Sequence, residues 1–313
     1  MSEKSCAKSC AFKTSVGGQA ILEGVMMRGP EKIAMAVRKP DGGIHTEVSE
    51  VRSHAWRKWP LVRGVCSFVE SLVTGYRYLS KSADIALTEE EEELTGFDKW
   101  VDEKFGEKGT NFVMGAASVL GIALAVALFV FLPTFLVGLI GRALDLGWTR
   151  TLLEGLVKVA LLVGYLAAVS RMKEMKRLFG YHGAEHKTIA CYEAGMELTT
   201  ENIRTCSRFH PRCGTSFLLI VVLVSILVNA ALPWSNLGLR AVYKLLLLPV
   251  VVGISYEIIK FCGRYDNPVT HAVSAPGLWL QHITTNEPDD SMIECAVAAI
   301  RPVLPENREE AAW

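Results

Sequence analysis

The sequence has no net charge, because its 33 lysines and arginines equal its 33 aspartates and glutamates in number. Nucleic-acid-binding domains are usually strongly basic, so we expect no nucleic-acid partner. The glycine-rich segment between Val16 and Pro30 lacks both common nucleotide-binding glycine patterns, which argues against a nucleotide loop. Residues 1–19 are polar and lack the apolar core of a signal peptide, so none is expected.

Cysteine and histidine are both scarce, with eight and seven residues in the chain. The cysteines do not follow the spacing of a secreted disulfide scaffold, so we expect reduced thiols in the cytosol. Because histidines are so few, a pair of them at regular spacing is informative about chemistry.

Long apolar runs, by contrast, are abundant. Half of the residues are hydrophobic and the mean hydropathy is +0.26, which is typical of a membrane protein. Four runs come close to or exceed the ~20 residues that cross a bilayer, and their length argues against the alternative of a soluble four-helix core. We predict spans near residues 112–133, 152–170, 216–232 and 241–261.

The basic residues predict how these spans are oriented. The segment between the second and third spans is rich in lysine and arginine, whereas the other two connections hold few basic residues. Because basic residues accumulate on the cytoplasmic side, the 171–215 loop is expected in the cytosol. An even number of spans then places both termini there, in a multi-pass protein of the plasma membrane.

Polar regions flank the spans. Residues 1–110 are predicted to form a small α+β cytoplasmic region, with a β-hairpin over 32–51 and an amphipathic helix after Pro60. The acidic run at 89–93 is expected to be a solvated linker. The predicted fold class is therefore mainly α and integral to the membrane, with a membrane domain over 111–262 and a helical cytoplasmic tail over 263–313.

The strongest chemical pattern is His182-Gly-Ala-Glu-His186. Residues four apart share one face of a helix, so both imidazoles can bind one divalent metal while Glu185 acts as a general base. The order H-x-x-E-H is also a zinc-site signature in its own right. The alternative is a structural segment, in which the histidines bond backbone carbonyls and Glu185 pairs with Lys187.

A second cluster follows, because Cys206, His210 and Cys213 offer three more ligands within eight residues. Zinc binds mixtures of thiolate, imidazole and carboxylate, usually four in a tetrahedron. Zinc is therefore the expected cofactor, although iron and manganese also accept such a set. We expect His210 as the third ligand, with Cys213 or a water as the fourth. Glu193 and Cys206 compete for these places, and the two cysteines can instead be small buried thiols.

Glu23 and Arg28 are the polar groups of the otherwise apolar glycine-rich segment. One interpretation is that they contact the metal or the substrate, and the other is that they form a salt bridge with each other. The glycines around them permit sharp turns or a close backbone approach to a ligand.

Several motifs resemble the YqhQ family, a bacterial family of polytopic membrane proteins with a domain of unknown function. The resemblance extends from about Gly17 to Ile300. It rests on GGQAILEGVMMRG at 17–29, WPLVRG at 59–64, YHGAEHK at 181–187, HPRCGTS at 210–216, LWLQ at 278–281 and TTNEPDD at 284–290. Members of the family are described as predicted metal-dependent enzymes. The resemblance implies the same membrane architecture for this chain and implies no substrate.

Two functions are consistent with these patterns. The first is an integral-membrane, metal-dependent hydrolase that acts at the cytoplasmic face, among membrane lipids, on a lipid-linked molecule or a membrane-protein segment. The second is a non-catalytic scaffold or assembly factor with a fully coordinated structural metal. A transporter is less favoured, because no repeat and no paired intramembrane charges are evident.

Overall fold

The computed structural model describes residues 12–51, 59–86, 113 and 115–311. The strands come first and are β1 (Gly17–Ile21), β2 (Gly24–Arg28), β3 (Lys32–Arg38) and β4 (Ile44–Glu50). The helices are α1 (Val62–Ala86), α2 (Gly115–Ala143), α3 (Thr149–Val169), α4 (Lys173–Glu193), α5 (Thr200–Arg204), α6 (Gly214–Asn229), α7 (Leu237–Arg264), α8 (Pro268–Thr284) and α9 (Asp290–Ile300). The predicted acidic linker at 89–93 and the start of the first predicted span at 112 lie outside the described residues.

The described residues form two compact units. The first contains those of Met1–Ala86, Tyr165–Val221 and Pro249–Trp313. The second contains those of Leu87–Gly164 and Val222–Leu248. All the predicted site residues belong to the first unit.

The first unit begins with an antiparallel sheet in the order β1-β2-β3-β4. The predicted hairpin is confirmed by β3 and β4, and Gly42 in its turn has a φ of +86°, which glycine adopts without strain. The glycine-rich segment, whose glycines were expected to permit sharp turns or a close backbone approach, forms β1 and β2, with Gly17 opposite Arg28. The usual alternation is absent there because β2 is buried on both faces, so apolar residues occupy consecutive positions.

A shared core joins this sheet to α4 and α9. α4 lies against β1 and β2, and α9 packs against α4, β2 and β3. Tyr181 and Ala184 of α4 are fully buried in this core beside Ile293 and Ile300 of α9. Each large apolar side chain buried in this way contributes roughly 1.5–3 kcal/mol. The packing therefore encloses the middle of α4, where the H-x-x-E-H pattern lies.

The predicted amphipathic helix is confirmed as α1. Tyr78 and Ser82 are buried on the side that faces the sheet. Val69, Leu72 and Val73 are 52%, 57% and 64% exposed on the helix surface. This apolar surface is available to a lipid environment.

Three helices of the described chain are long and apolar enough to cross a membrane, namely α2, α3 and α7. The run predicted as the third span is α6, which is apolar but has only 16 residues. The segment predicted as a cytoplasmic loop over 171–215 contains α4 and α5. The helix that holds the first predicted span does not end near Pro133, as the predicted range 112–133 implied, but continues to Ala143. A π-helical turn at Ala127–Phe131 directly precedes the proline segment.

The C-terminal helices begin at capping residues. Asn267 accepts hydrogen bonds from the first turn of α8 in a capping box, which favours the start of this helix at Pro268. Asp289 accepts a hydrogen bond from the Met292 N–H and caps α9. The end of α8 and the segment before α9 thereby lie beside α4, where the candidate site is found.

Candidate metal centre

α4 brings His182, Glu185 and His186 to one side of the helix, as their spacing predicts. The two imidazole rings are in contact, with ring centroids 4.4 Å apart. Gly183 lets the chain pass close to this helix, because a Cβ built there would lie 2.0 Å from the Asn286 carbonyl oxygen. The segment after α8 can therefore cover the site directly.

Backbone carbonyls orient both imidazoles. Nδ1 of His182 lies 2.8 Å from the Thr284 carbonyl oxygen, and Nδ1 of His186 lies 2.6 Å from that of Arg208. A carbonyl oxygen only accepts hydrogen bonds, so each Nδ1 carries the proton. Each Nε2 is then left as a ligand atom, which is the arrangement that second-shell groups impose in metal sites. The structural interpretation was right about these carbonyl bonds, and they support a metal site equally well.

Cys213 supplies the third atom of the cluster. It precedes α6, and its Sγ lies 3.2 Å from Nε2 of His182 and 3.4 Å from the Thr215 backbone nitrogen. One ligand atom from each of His182, His186 and Cys213 lies within 4.8 Å of the other two. The structure thus brings together two residues of the first motif and one of the second.

The charges of this cluster support one another. Burial raises the pKa of the Cys213 thiol, but the His182 and His186 imidazoles outweigh burial and hold the pKa well below its usual value. Burial lowers the pKa of His182, but the Cys213 sulfur and the Glu185 carboxylate raise it to about 9. The pair therefore has thiolate and imidazolium character without a metal, and a thiolate is the form that binds metal ions.

Glu185 lies beside the cluster and is only 5% exposed. Its Oε2 is buried and has no hydrogen-bond partner. Burial raises the pKa of this carboxyl, and the neighbouring imidazoles oppose the shift. Strand β1 approaches closely here, since a Cβ on Gly18 would lie 3.0 Å from Cγ of Glu185. The alternative pairing of Glu185 with Lys187 is wrong, because Lys187 pairs with Glu287 at 2.7 Å.

The expected third ligand, His210, lies next to the cluster but outside it. Its ring centroid is 5.6 Å from that of His186. Its Nε2 lies 3.6 Å from Oε2 of Glu193 and 3.3 Å from Arg212 Nη2. Burial lowers the pKa of His210 to about 4, so the ring is neutral. Glu193, a competing ligand candidate, is held by His210, Arg212 and the Thr14 N–H.

Cys206 is the other competing candidate. Its Sγ lies 3.6 Å from the Asn202 carbonyl oxygen, and the residue is buried in the core of the first unit. Cys206 is therefore a buried thiol, as the alternative interpretation proposed. Cys213 is also buried, but its Sγ belongs to the candidate metal cluster.

Gln281 braces the turn that carries His210 and Cys213, and sequence reasoning missed it. Its Oε1 accepts a hydrogen bond from the His210 N–H at 2.8 Å, and its Nε2 donates to the His210 carbonyl at 2.7 Å and to Ser216 Oγ at 3.0 Å. The side chain is fully buried. The signal in the sequence was its place in the LWLQ motif, three residues before the threonine whose carbonyl orients His182.

Glu23 and Arg28 do not pair with each other, and each contacts a different residue. Glu23 lies in the β1–β2 turn with a φ of +50°, bonds the Arg177 guanidinium and accepts from Tyr181 Oη at 3.2 Å. Arg28 Nη2 lies 2.7 Å from Oε1 of Glu70. The predicted mutual salt bridge does not form. Their proposed contact with substrate stays a prediction.

Comparison with known proteins places the chain in a family. The chain is 33% identical over 302 residues to the uncharacterized protein YqhQ of Bacillus subtilis (strain 168). The alignment covers 92% of each of the two chains. No solved structure matches the chain. A family model described as a protein of unknown function, DUF1385, matches residues 59–306. Since that match includes most of the chain, this protein belongs to the DUF1385 family of YqhQ-like proteins.

Proposed function

We propose that this protein is an integral-membrane, metal-dependent hydrolase that works at the cytoplasmic face. The observation that carries the proposal is the combination of three converging ligand atoms with one separate, buried carboxylate oxygen that has no partner. Three protein ligands and an open fourth position are typical of catalytic zinc sites, whereas structural sites use four.

The residues fit a divalent metal such as zinc. With Nδ1 of His182 and of His186 bonded to backbone carbonyls, their Nε2 atoms are the ones available to a metal, and Cys213 adds a thiolate, a donor set that zinc accepts. The partnerless Oε2 of Glu185 is a buried polar atom that gains a partner only if a ligand or substrate enters. When bound, the metal supplies a Lewis acid that stabilises negative charge on the reacting group.

The remaining chemistry belongs to residues of the chain. Glu185 accepts a proton from the attacking water and returns it to the leaving group. Its raised pKa suits both steps, because a general base works best when its pKa is near the working pH. The Thr284 and Arg208 carbonyls hold the two imidazoles in place, and the enclosed middle of α4 keeps bulk water away from the reacting atoms.

Four membrane crossings are favoured by the packing of the first unit. β1 and β2 pack on α4, so an even number of crossings must separate them, and α2 and α3 supply two. α9 also packs on α4, so α6 and α7 together must cross an even number of times. Because α7 is long enough to cross, we propose that α6 crosses as well. Its 16 residues span about 24 Å, which requires a locally thin bilayer.

The basic residues of the 171–215 segment support a cytosolic location for this side and for both termini. The exposed apolar surface of α1 then suits the inner surface of the plasma membrane. A substrate that reaches a buried site at this level is a lipid-linked molecule or a segment of a membrane protein.

A non-catalytic scaffold is the second candidate, and the position of His210 favours it. If His210 turned from Glu193 toward the cluster, four ligands would close the site and leave no place for a substrate. Glu185 would then have no chemical role.

Metal content and hydrolysis test the proposal together. We expect about one zinc per chain in detergent-purified wild type and in Glu185→Gln, and none in His182→Ala. Each protein is then incubated with a total bacterial lipid extract in water enriched in heavy oxygen. Products that carry the heavy oxygen are expected with wild type and not with Glu185→Gln.

The outcomes separate the candidates. Zinc in all three proteins, or in none, would overturn the metal centre. Zinc bound as expected but with equal product formation in wild type and Glu185→Gln would remove the catalytic role of Glu185 and favour the scaffold. His282→Ala is the control for replacing a histidine, because His282 is exposed and contacts the Trp279 carbonyl and the Phe209 ring instead of the cluster.

A further inference from the structure

The second unit contains a buried ionic cluster that is separate from the candidate metal centre. Glu154 and Lys158 of α3, and Arg240 and Lys244 of α7, are each less than a tenth exposed. Among the buried residues that the structure describes in this unit, three cations therefore accompany one carboxylate. The difference leaves two positive charges without a buried carboxylate.

Glu154 is shared between two of these cations. Its Oε2 accepts a hydrogen bond from Arg240 Nη2 at 3.2 Å, and its Oε1 accepts from Lys244 Nζ. Lys158 donates to Ser225 Oγ at 3.3 Å, and the buried Nε of Arg240 has no partner. Unbalanced charge is costly in a low-dielectric surrounding. The cluster is therefore complementary to an anion.

An apolar cavity of ≈ 460 Å³ adjoins the cluster. This volume lies within the ~300–1,000 Å³ of small-molecule sites. Part of its wall is the π-helical turn at Ala127–Phe131, and such turns are frequent at functional sites. The wall is formed by Ala127, Phe131 and Phe135 of α2 and by Leu237, Gly238 and Ala241 of α7.

Thr134 connects the cavity to the charges. It also lines the cavity, and its hydroxyl accepts a hydrogen bond from Lys244 Nζ at 2.7 Å and donates to Glu154 at 2.8 Å. An ammonium group has three N–H donors, and Thr134 and Glu154 use two of those of Lys244. Lys244 thus lies directly behind Thr134, which is the polar part of an otherwise apolar cavity wall.

We propose that this cavity binds an anionic lipid of the surrounding bilayer, with its acyl chain along Phe131 and Phe135 and its acidic group toward Lys244. Both aromatic rings are exposed on the outside of the unit, so an acyl chain can enter sideways. A soluble anion would gain nothing from these apolar walls. The proposal rests on the membrane placement of α2 and α7, and it does not depend on the metal centre.

Photolabelling of the full-length protein in vesicles tests this site. The probes are phosphatidylglycerol and phosphatidylcholine, each with a photoreactive group in the acyl chain, in a phosphatidylcholine bilayer. We expect phosphatidylglycerol to label peptides of α2 and of the start of α7 about fivefold more strongly. Ala241→Phe, which fills the cavity, and Lys244→Met, which removes a cation, should each bring this ratio close to one.

Val242→Phe is the matched control, because Val242 is the exposed neighbour of Ala241 and should keep the wild-type ratio. Equal labelling by the two lipids in wild type would overturn the proposal, and so would an unchanged ratio in Ala241→Phe. Loss of the preference on adding inorganic phosphate would show a soluble-anion site and overturn the lipid assignment. Zinc content is measured on the same samples, so a failed metal centre is recognised separately.

Discussion

Sγ of Cys213 lies 3.2 Å from Nε2 of His182, although 31 positions separate the two residues in the chain. His182 belongs to the buried helix α4, and Cys213 belongs to the turn before α6. The other nitrogen of the same imidazole is held by the Thr284 carbonyl at the end of α8. Three distant segments therefore meet at one thiolate–imidazole pair, which is the centre of the proposed metal site.

Cobalt substitution distinguishes Cys213 from His210 as the third ligand. A cobalt–thiolate bond gives a charge-transfer absorption band that imidazole and carboxylate ligands do not give. We expect this band in the cobalt-loaded wild type and in His210→Ala, and its loss in Cys213→Ser. A band that persists in Cys213→Ser would show that another cysteine supplies the thiolate, and cobalt-loaded wild type without the band would contradict Cys213 as a ligand.

Replacing Gln281 by Leu should weaken zinc binding, because its amide braces both sides of the turn before Cys213. Changes in such supporting residues typically lower metal affinity by roughly 10–100-fold. Competition with a zinc chelator measures the affinity. His282→Ala, at the neighbouring exposed position, is expected to bind zinc as wild type does. Equal affinities for the two variants would contradict the bracing role.

Gly183→Ala should destabilise the first unit. The added Cβ would lie 2.0 Å from the Asn286 backbone oxygen, which cannot move without displacing its segment. Overpacking of this kind costs about 1–3 kcal/mol, measured as a lower thermal midpoint in detergent. The control is Gly164→Ala in α3, where no atom lies within 4 Å of the new Cβ. That variant is expected to be neutral or more stable.

Glu154→Gln should destabilise the second unit, because it leaves Arg240 and Lys244 without their carboxylate. Breaking a buried ion pair from one side costs about 3–5 kcal/mol. Denaturant titration in detergent measures the loss. Glu174→Gln, at an exposed position of α4, is expected to stay within about 0.5 kcal/mol of wild type. A similar small effect of Glu154→Gln would argue against a tightly paired cluster.

Cysteine labelling in intact cells tests whether α6 crosses the membrane. Ser235 lies between α6 and α7, and Glu201 lies on α5, and both are exposed. A membrane-impermeant maleimide should label Ser235→Cys in intact cells and Glu201→Cys only after permeabilisation. If α6 does not cross, both positions will be protected until the cells are opened. Wild type provides the background from the native cysteines.

Local patterns in the sequence were enough to predict several secondary-structure elements. The hairpin of β3 and β4, the amphipathic helix α1 and the helical tail over 263–313 were predicted because alternation, helical spacing and helix-start signals are properties of neighbouring residues. The H-x-x-E-H pattern correctly placed His182 and His186 together, because a helix fixes the distance between residues four apart. Apolar composition likewise indicated the membrane helices, because a bilayer sets their minimum length.

Only the tertiary structure decided the rest. Strand β2 was hidden because burial on both faces removes the alternation that marks a strand. The contact of Cys213 with His182, the bracing of the turn by Gln281 and the pairing of Glu154 with α7 all join residues that lie far apart in the chain. Spacing along the chain cannot specify such contacts, because they depend on how helices pack and on which polar groups burial leaves without water.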